Sequence, residues 1–308
     1  MSARSWVTRI IGTYPELLLV IVAASVGLAV ARPIRWTDGH QGINVLLFIL
    51  VFATAVTVAP ESLRHLLSTW KQLLAALALG VTVLPALSWL ASRLVSAGPL
   101  RNGIMVVGLA PCEIASVATT AMAGGAAALS AAVLIGSTLL TIAFAGVILS
   151  LVAHDAHIDA MHVLTNLVIV VGIPLTLGVL LSATKVLRPR IIAEAEMIAV
   201  GALVGLVLLV AGQVRIGAEY LGVLLAVVMI VGVSALLGFA IGRNTSREES
   251  TSLLLTTSMR DFAIAAGLAA AAFGPQAVAP LGLYGVAVIA WGTAVAGFLR
   301  SRAGRASR

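Results

Sequence analysis

The sequence predicts an all-α polytopic membrane protein of ten transmembrane helices. We expect two inverted five-helix repeats, in which helices four and nine are broken and cross. Three observations predict this fold. Hydrophobic residues make up 60% of the chain and charged residues only 10%, and the mean hydropathy is +1.11. The chain divides into ten apolar runs. Two of these runs, at corresponding places in the two halves, are interrupted by charge, which is typical of secondary transporters.

The composition excludes several classes of protein. A soluble domain contains roughly 25% charged residues, far more than this chain. The net charge of +7 would suggest nucleic acid as a partner. However, the basic residues are scattered singly between apolar runs and form no basic face. We therefore expect the protein to interact with the lipid bilayer and not with nucleic acid. The lone cysteine, Cys112, excludes an intramolecular disulfide and a cysteine metal cluster.

Ten runs have the length and composition of membrane spans. A spanning helix needs about 20 mostly apolar residues, and fewer where it is short or tilted. In chain order the predicted spans are 15–31, 43–59, 73–92, 101–123, 126–153, 162–183, 196–214, 219–242, 250–273 and 277–299. Loop signals such as Arg32-Pro33 and Gly274-Pro275 separate them. We predict a first repeat over 1–160 and a second over 161–308, which together form one membrane domain. The sequence predicts no particular oligomeric state.

The distribution of Lys and Arg predicts that both termini are cytoplasmic. If the N-terminus is inside, the inner segments carry 13 of the 19 basic residues and the outer loops carry 5. The remaining one, Arg260, lies within a span. Cytoplasmic loops are enriched in Lys and Arg, so this orientation is favoured. No clean cleavage site follows the first run, which we interpret as a retained span in a bacterial-type inner or plasma membrane.

The two halves of the chain share a pattern. In each, a charged break is followed by a small-residue helix, a glycine turn and a long final span. The first spans of the halves, YPELLLVIVAASVGLAV and TNLVIVVGIPLTLGVLLS, are also comparable. Because each half has an odd number of spans, the second copy must enter from the opposite side, which makes the repeat inverted. The alternative is that two segments rich in Ala, Gly, Leu and Val resemble each other through composition alone.

The charged interruptions mark the candidate substrate and ion site. They are Pro111-Cys112-Glu113 in span four and Met259-Arg260-Asp261 in span nine. Proline lacks an N–H and disrupts the preceding turn, so a helix break is expected at Pro111. A charge at bilayer depth costs at least about 2.5–3.5 kcal/mol and usually faces a cavity or a partner. The small residues that follow each break would let two broken helices cross closely.

Two motifs surround the breaks: P-C-E-I-A-S-V…A-G-G…A-L-S from Pro111 to Ser130, and T-T-S-M-R-D-F…G-L-A from Thr256 to Ala269. Through them the chain resembles the bile acid:sodium symporter family, which shares a larger group with the arsenite exporters. In that family the corresponding segments are P-G-G-T-A-S-N…A-L-S and E-V-G-M-Q-N…G-L-A. The resemblance covers essentially the whole chain. It implies ten spans, two inverted halves and a secondary transporter.

The resemblance also implies two sodium sites, built from oxygens of span four, the start of span five and span nine. Ser116, Ser130 and the Met259 carbonyl keep an oxygen at their positions. The positions that depart from the family are Gly80 (family Gln), Val117 (Asn), Leu134 (Thr), Thr256 (Glu) and Arg260 (Gln). Sodium needs hard oxygen ligands, and a fixed guanidinium repels it. We therefore expect degraded sodium sites and no cofactor or metal, with sodium kept only as a candidate ion.

Arg260 is always protonated and must find an anion or carbonyl groups at this depth. Adjacent residues of a helix point about 100° apart, so Asp261 would not face it, and Glu113 on the crossing helix is the expected partner. Two readings stay open. Either a static Glu113–Arg260 pair stands in for sodium, or Arg260 or a helix N-terminus binds an anionic substrate while Glu113 or Asp261 exchanges protons.

Other functions have less support. The hydroxyls in the spans and Cys112 have no His partner, and no phosphate-binding Gly-Lys-Ser/Thr loop occurs, so we expect no enzyme. The His- and Asp-rich segment 154–162 could bind a metal, although a solvated outer loop is favoured. We predict a secondary active transporter of a small organic anion, with proton-coupled or sodium-independent transport. The alternative is a channel or receptor-like membrane protein with a structural Glu–Arg pair.

Overall fold

The computed structural model describes residues 22–23, 25–26, 39–57, 69–96, 98–152, 159–184, 189–212 and 217–306. Within these ranges the chain is helical apart from turns and one isolated β-bridge, so the predicted all-α class is confirmed. The predicted first span falls almost entirely outside them. The α-helices are α1 Gly39–Thr57, α2 Trp70–Val81, α3 Val83–Ser92, α4 Pro99–Val106, α5 Ala115–Met122, α6 Ala127–Val152, α7 Ala160–Leu167, α8 Ile173–Ala183, α9 Pro189–Ala211, α10 Tyr220–Gly242, α11 Arg247–Ser258, α12 Phe262–Phe273 and α13 Ala279–Ala306.

Six helical segments of the described chain are long and apolar enough to cross a membrane. They are Trp70–Ser92, Ala127–Leu151, Ala160–Ala183, Ile191–Ala211, Tyr220–Gly242 and Pro275–Ser301. These segments coincide with predicted spans three, five, six, seven, eight and ten. Predicted span two corresponds to the shorter α1. Predicted spans four and nine correspond to two interrupted helices, α4–α5 and α11–α12.

The segment formed by α2 and α3 carries a tryptophan near each end. Trp70 and Trp89 are 51% and 37% exposed. Lys71 Nζ lies 5.7 Å from the centre of the first ring, and the Arg93 guanidinium lies 4.6 Å from that of the second. The helical rise from Trp70 to Trp89 is about 28 Å, close to the roughly 30 Å of a bilayer core. Aromatic rings beside cations are typical of the headgroup level, so the two tryptophans indicate the two faces of the bilayer.

The helices pack in two groups that meet at α12, between α9 and α13, and between α6 and α7. In the first group, α1 packs along α8 and α9; in the second, α10 packs along α11, and α6 contacts α2, α5 and α11. Helix α12 contacts α1 and α7 on one side and α4 and α13 on the other. Every residue from Phe262 to Ala270 is buried. The second broken helix therefore runs through the centre of the molecule.

Both interrupted helices change to extended backbone at their breaks. Helix α4 continues as one 3₁₀ turn, Val107–Leu109, after which Ala110 is extended (φ −65°, ψ 152°) and Pro111 follows. Helix α11 ends before Met259 (φ −102°, ψ 105°), and Asp261 is also extended (φ −70°, ψ 107°) at the start of α12. The two breaks lie at the charged triplets of the sequence.

The first interrupted helix lies directly against α3 at Gly108. A Cβ at this position would overlap the carbonyl oxygen of Leu84 and the hydroxyl of Ser88. Because there is no side chain, the Gly108 N–H can donate to Ser88 Oγ (3.0 Å), which itself donates to the Met105 carbonyl (3.0 Å). Small residues allow such close helix approach in membranes. This contact fixes the break relative to α3.

We expect Gly108→Ala to lower the free energy of unfolding by roughly 1–3 kcal/mol, the usual cost of overpacking. Thermal unfolding of the purified protein in detergent measures the effect. Gly201→Ala in α9 is the matched control, because a Cβ there meets nothing within 4 Å and alanine favours the helix. Equal stability of the two variants would show that the contact at Gly108 is loose.

Candidate functional site

The two breaks meet as a short piece of antiparallel β-structure, in which Cys112 pairs with Arg260. Two reciprocal backbone hydrogen bonds flank this bridge: the Glu113 N–H donates to the Met259 carbonyl (2.8 Å), and the Asp261 N–H donates to the Pro111 carbonyl (2.9 Å). At bilayer depth no bulk water can bond an open backbone, so protein groups must do so. Each break therefore satisfies the backbone of the other.

Two side-chain hydroxyls complete the bridge. Ser137 of α6 accepts from the Cys112 N–H (3.1 Å), and Tyr284 of α13 accepts from the Arg260 N–H (3.1 Å). Both residues are buried. Sequence reasoning missed them, because each is an isolated polar residue in an apolar helix with a distant partner. For Tyr284 a signal was available in its rarity, since the chain has only three tyrosines; Ser137 gave none, because serine is common in the chain.

The extended backbone sorts the charged side chains onto two sides of the bridge. Successive residues of an extended segment point in opposite directions, whereas bridged residues point the same way. Cys112 and Arg260 therefore share one side, and Glu113 and Asp261 share the other. None of the four is more than 4% exposed.

The two carboxylates lie at the N-terminus of α12. Asp261 caps this helix, because its Oδ1 accepts from the Ile264 N–H (2.8 Å). Glu113 Oε2 accepts from the N–H of Phe262, the first residue of the same helix (3.3 Å). Negative charge is favourable at a helix N-terminus. Asp261 Oδ2 has no hydrogen-bond partner in the described part of the chain, so one buried carboxylate oxygen is left unused.

Arg260 extends from the other side of the bridge, toward the end of the first interrupted helix. Its Nη2 donates to the carbonyl of Ala110, where the carbonyls that end a helix favour a cation. The guanidinium lies beside Gly80 of α2, where a Cβ would be in ordinary contact with the two Nη atoms, at 3.6 and 3.7 Å. Nε has no partner among the described residues. Arg260 is thus a buried cation with an unused donor.

The predicted ion pair between Arg260 and Glu113 is wrong. The guanidinium bonds to Ala110 and the carboxylate bonds to Phe262, on opposite sides of the bridge. The prediction treated residues 259–261 as helical, whereas their backbone is extended and groups Glu113 with Asp261 instead. Glu113 and Arg260 therefore do not form the structural pair that the channel or receptor-like alternative assumed.

Ser116, Ser130 and Thr256 lie on α5, α6 and α11, three helices that pack against one another. All three residues are fully buried. Ser130 Oγ donates to Thr120 Oγ1 (3.0 Å), and Thr256 Oγ1 donates to a carbonyl of its own helix (2.7 Å). Ser116 Oγ lies 3.9 Å from the Cys112 sulfur. The hydroxyls are therefore engaged within the protein.

Apolar side chains fill the space among these helices. Leu134 belongs to a hydrophobic cluster with Leu129 and Leu253, and Val117 packs against it. Val117 and Leu134 are two of the positions where the resemblance implies sodium ligands. Hydrocarbon cannot coordinate sodium. The packing at these two positions is that of a protein core.

Only part of the His- and Asp-rich loop lies within the described structure. Asp159 accepts from the N–H groups of Met161 and His162 (2.9 and 3.1 Å). It therefore caps α7, an ordinary role for aspartate at a helix start. Residues 153–158, with the other members of the loop motif, lie outside the described ranges.

Apolar helices around two interrupted, crossing helices with buried charge define a class of membrane transporter. A family profile described as Sodium Bile acid symporter family matches residues 44–224, more than half of the chain. The protein belongs to this family, as its motifs predicted. It is also 24% identical over 276 residues to a Bacillus subtilis (strain 168) protein named "Uncharacterized sodium-dependent transporter YocS". That alignment covers 87% of this chain and 85% of the relative.

We expect Asp261→Ala to lower the free energy of unfolding by more than about 1 kcal/mol. Loss of the helix cap accounts for about 1 kcal/mol, and the Ile264 N–H, which is then buried without a partner, adds to the loss. Asp261→Asn keeps an accepting oxygen and should be nearly as stable as the unmodified protein. Thermal unfolding in detergent compares them. Asp159→Ala is the control, since water replaces that exposed cap. Equal stability of the two Asp261 variants would contradict the capping role.

Proposed function

We propose that this protein is a secondary active transporter of a small organic anion, coupled to protons and independent of sodium. The observation that carries the proposal is Arg260. Its guanidinium is buried at the crossing of the two interrupted helices, bonds to a backbone carbonyl, and has an unused donor within the described structure. A buried charge in a membrane protein commonly marks a substrate or ion pathway.

We further propose that ten transmembrane helices form two inverted repeats with cytoplasmic termini. Helix α4 begins at Pro99 and α11 at Arg247, and the same separation relates the bridged residues Cys112 and Arg260. The flanking hydrogen bonds are reciprocal, and a hydroxyl from the next long helix completes each side. Such equivalence supports a repeat about a two-fold axis in the membrane plane. The 13 to 5 distribution of basic residues supports the orientation.

Sodium independence is supported by what occupies the expected ligand positions. The Arg260 guanidinium lies beside Gly80, so a positive charge occupies the space next to a position where the family has glutamine. Val117 and Leu134 contribute to apolar packing at two further ligand positions. The Bacillus relative is described as sodium-dependent. We propose that this chain differs from it, because a fixed cation and hydrocarbon both oppose sodium binding.

The anion is assigned to Arg260 because the N-terminus of α12 already carries negative charge. In transporters with discontinuous helices, such N-termini commonly bind anionic substrate groups. Here the N-terminus of α12 already has two carboxylates, from Glu113 and Asp261. A substrate anion would meet like charge there. The guanidinium, on the other side of the bridge, is the favourable partner.

The two carboxylates are the proposed proton carriers. Glu113 and Asp261 share one side of the bridge and lie at the same helix terminus. Two buried carboxylates in one site favour a shared proton, because both cannot easily be ionised together. Binding of an anion at Arg260 with a proton at this pair would keep the total charge of the crossing constant.

Movement between the two packed groups would provide alternating access. Helix α12 contacts α1 through Gly267, where a Cβ would approach Leu47 to 2.9 Å. The buried face of α12 consists largely of alanine and glycine, such as Ala263 and Ala266. A smooth face of this kind permits sliding. We propose that α1 and its neighbours α8 and α9 move against the crossing.

We expect transport without a sodium requirement. A thermal-shift screen of mono- and dicarboxylates, with and without sodium, would first identify a ligand. Counterflow of that ligand in proteoliposomes should then be unchanged when potassium or choline replaces sodium at constant pH. Counterflow also separates a carrier from a channel. A steep, saturable sodium requirement with a Hill coefficient near two would refute sodium independence.

We expect Glu113→Gln to keep ligand exchange but to abolish proton-driven accumulation of the ligand. Glutamine imitates a permanently protonated acid, so counterflow without gradients should persist, while an inward proton gradient should no longer drive uptake. The measurement is ligand accumulation in proteoliposomes under an imposed pH difference. Glu248→Gln, at an exposed helix start, is the control and should keep gradient-driven uptake. If Glu113→Gln still accumulates ligand with the pH difference, this carboxylate does not carry the proton.

A further inference from the structure

A cavity adjoins the guanidinium of Arg260. It lies between α2, α3 and α6, is open on one side, and its enclosed part has room for about one water-sized group. Its lining includes Gly80, Ser137, Leu140, Thr141, Phe144 and Arg260. We infer that this cavity binds one small monovalent anion, held by the guanidinium of Arg260 and by Ser137.

The charge of Arg260 is the first reason. The residue is only 4% exposed, and its recorded side-chain hydrogen bond goes to a neutral carbonyl. The two carboxylates of the crossing are bonded to helix α12 on the other side of the bridge. Asp261 attracts the guanidinium from there without a direct hydrogen bond, so the buried charge is only partly offset, which is unfavourable. An anion in the adjoining cavity would complete the counter-charge.

The free donor is the second reason. Arg260 Nε is buried and has no hydrogen-bond partner within the described residues, and the side chain lines the cavity. A guanidinium presents its N–H groups as a fixed fork that matches carboxylates. Nη1 and Nη2 lie beside Gly80, which lines the same cavity, so the guanidinium has N–H groups for a ligand besides the bond from Nη2 to Ala110.

Ser137 can supply a second donor at little cost. Its hydroxyl now donates to the Leu134 carbonyl (3.1 Å), but Thr138 donates to the same carbonyl at 2.7 Å. If Ser137 turns its hydrogen toward a ligand, the carbonyl keeps a partner. Its oxygen can still accept from the Cys112 N–H. Thr141, one turn further along α6, instead holds the carbonyl of Leu109 (2.9 Å) and is less free to turn.

The walls restrict the ligand to a single charge and a small size. Apart from these groups the lining is mostly hydrocarbon, including Leu77, Leu140 and Ile148. One guanidinium cannot offset a second negative charge in such surroundings. Phe144 lines the cavity and is 46% exposed, so the mouth is apolar. Chloride fits this chemistry, and so does the carboxylate group of an organic acid with an apolar tail. Binding of an organic acid here rests on the proposed function, whereas binding of chloride does not.

Binding is tested on the purified full-length protein in detergent. Potassium chloride, bromide, formate and acetate are titrated against potassium sulfate at constant ionic strength, with thermal stability as the readout. We expect saturable stabilisation by at least one monovalent anion. Arg260→Gln should weaken it about 10- to 100-fold, the range for hydrogen bonds to a charged group, and Ser137→Ala about tenfold or less. Ser234→Ala removes a buried hydroxyl of α10 that bonds only to its own helix and should change nothing.

Each outcome decides the inference. Stabilisation by chloride and carboxylates alike supports a general anion site. Stabilisation by carboxylates alone supports a binding site for the carboxylate group of the substrate. Absence of saturable stabilisation, or equal affinity in Ser137→Ala and the unmodified protein, overturns it, even if Arg260→Gln fails to fold. Counterflow measured in parallel keeps the proposals apart. Transport without anion stabilisation refutes this site only, and anion stabilisation without transport refutes the proposed function only.

Discussion

The peptide N–H and C=O groups left without helical partners at the two breaks determine how the interior of this protein is built. A continuous helix satisfies its own backbone, but α4 and α11 end, and α5 and α12 begin, where bulk water is absent. The two breaks solve this jointly, through reciprocal bonds between residues 111–113 and 259–261. Ser137 and Tyr284 take the two N–H groups that the bridge leaves over. Helices α6 and α13 are thereby tied to the crossing, which connects distant parts of the chain through one small region.

The same helix ends explain how three charged residues fit there. The acids lie where N–H groups of α12 point outward, and the guanidinium lies at a terminal carbonyl of the first interrupted helix. Each charge is thus stabilised by backbone dipoles more than by another charge. This arrangement leaves Asp261 Oδ2 and Arg260 Nε without hydrogen bonds in the described structure. Both unused atoms are suited to mobile partners, a proton for one and an anion for the other.

The class, the positions of the breaks and the family could be predicted because they depend on local sequence. Pro111 and the charged triplets stand out in any apolar run, and the motifs around them identify the family. The partner of Arg260 could not be predicted, because it depends on whether residues 259–261 are helical or extended, and three letters do not decide that. The hydroxyls of Ser137 and Tyr284 contact groups 25 and 24 positions away, so only tertiary structure reveals them.

The missing side chain at Gly80 constrains the order in which this site can have evolved. A Cβ at this position lies in ordinary contact with the Arg260 guanidinium, but any longer side chain would have to share its volume. An ancestor with glutamine at this position would therefore have resisted the arginine until the glutamine had been shortened. The reverse change follows the same order, since position 80 can regain glutamine only after Arg260 has been replaced. The two positions are therefore coupled: homologues with arginine at position 260 should have a small residue at position 80, whereas glycine at position 80 should be tolerated without the arginine.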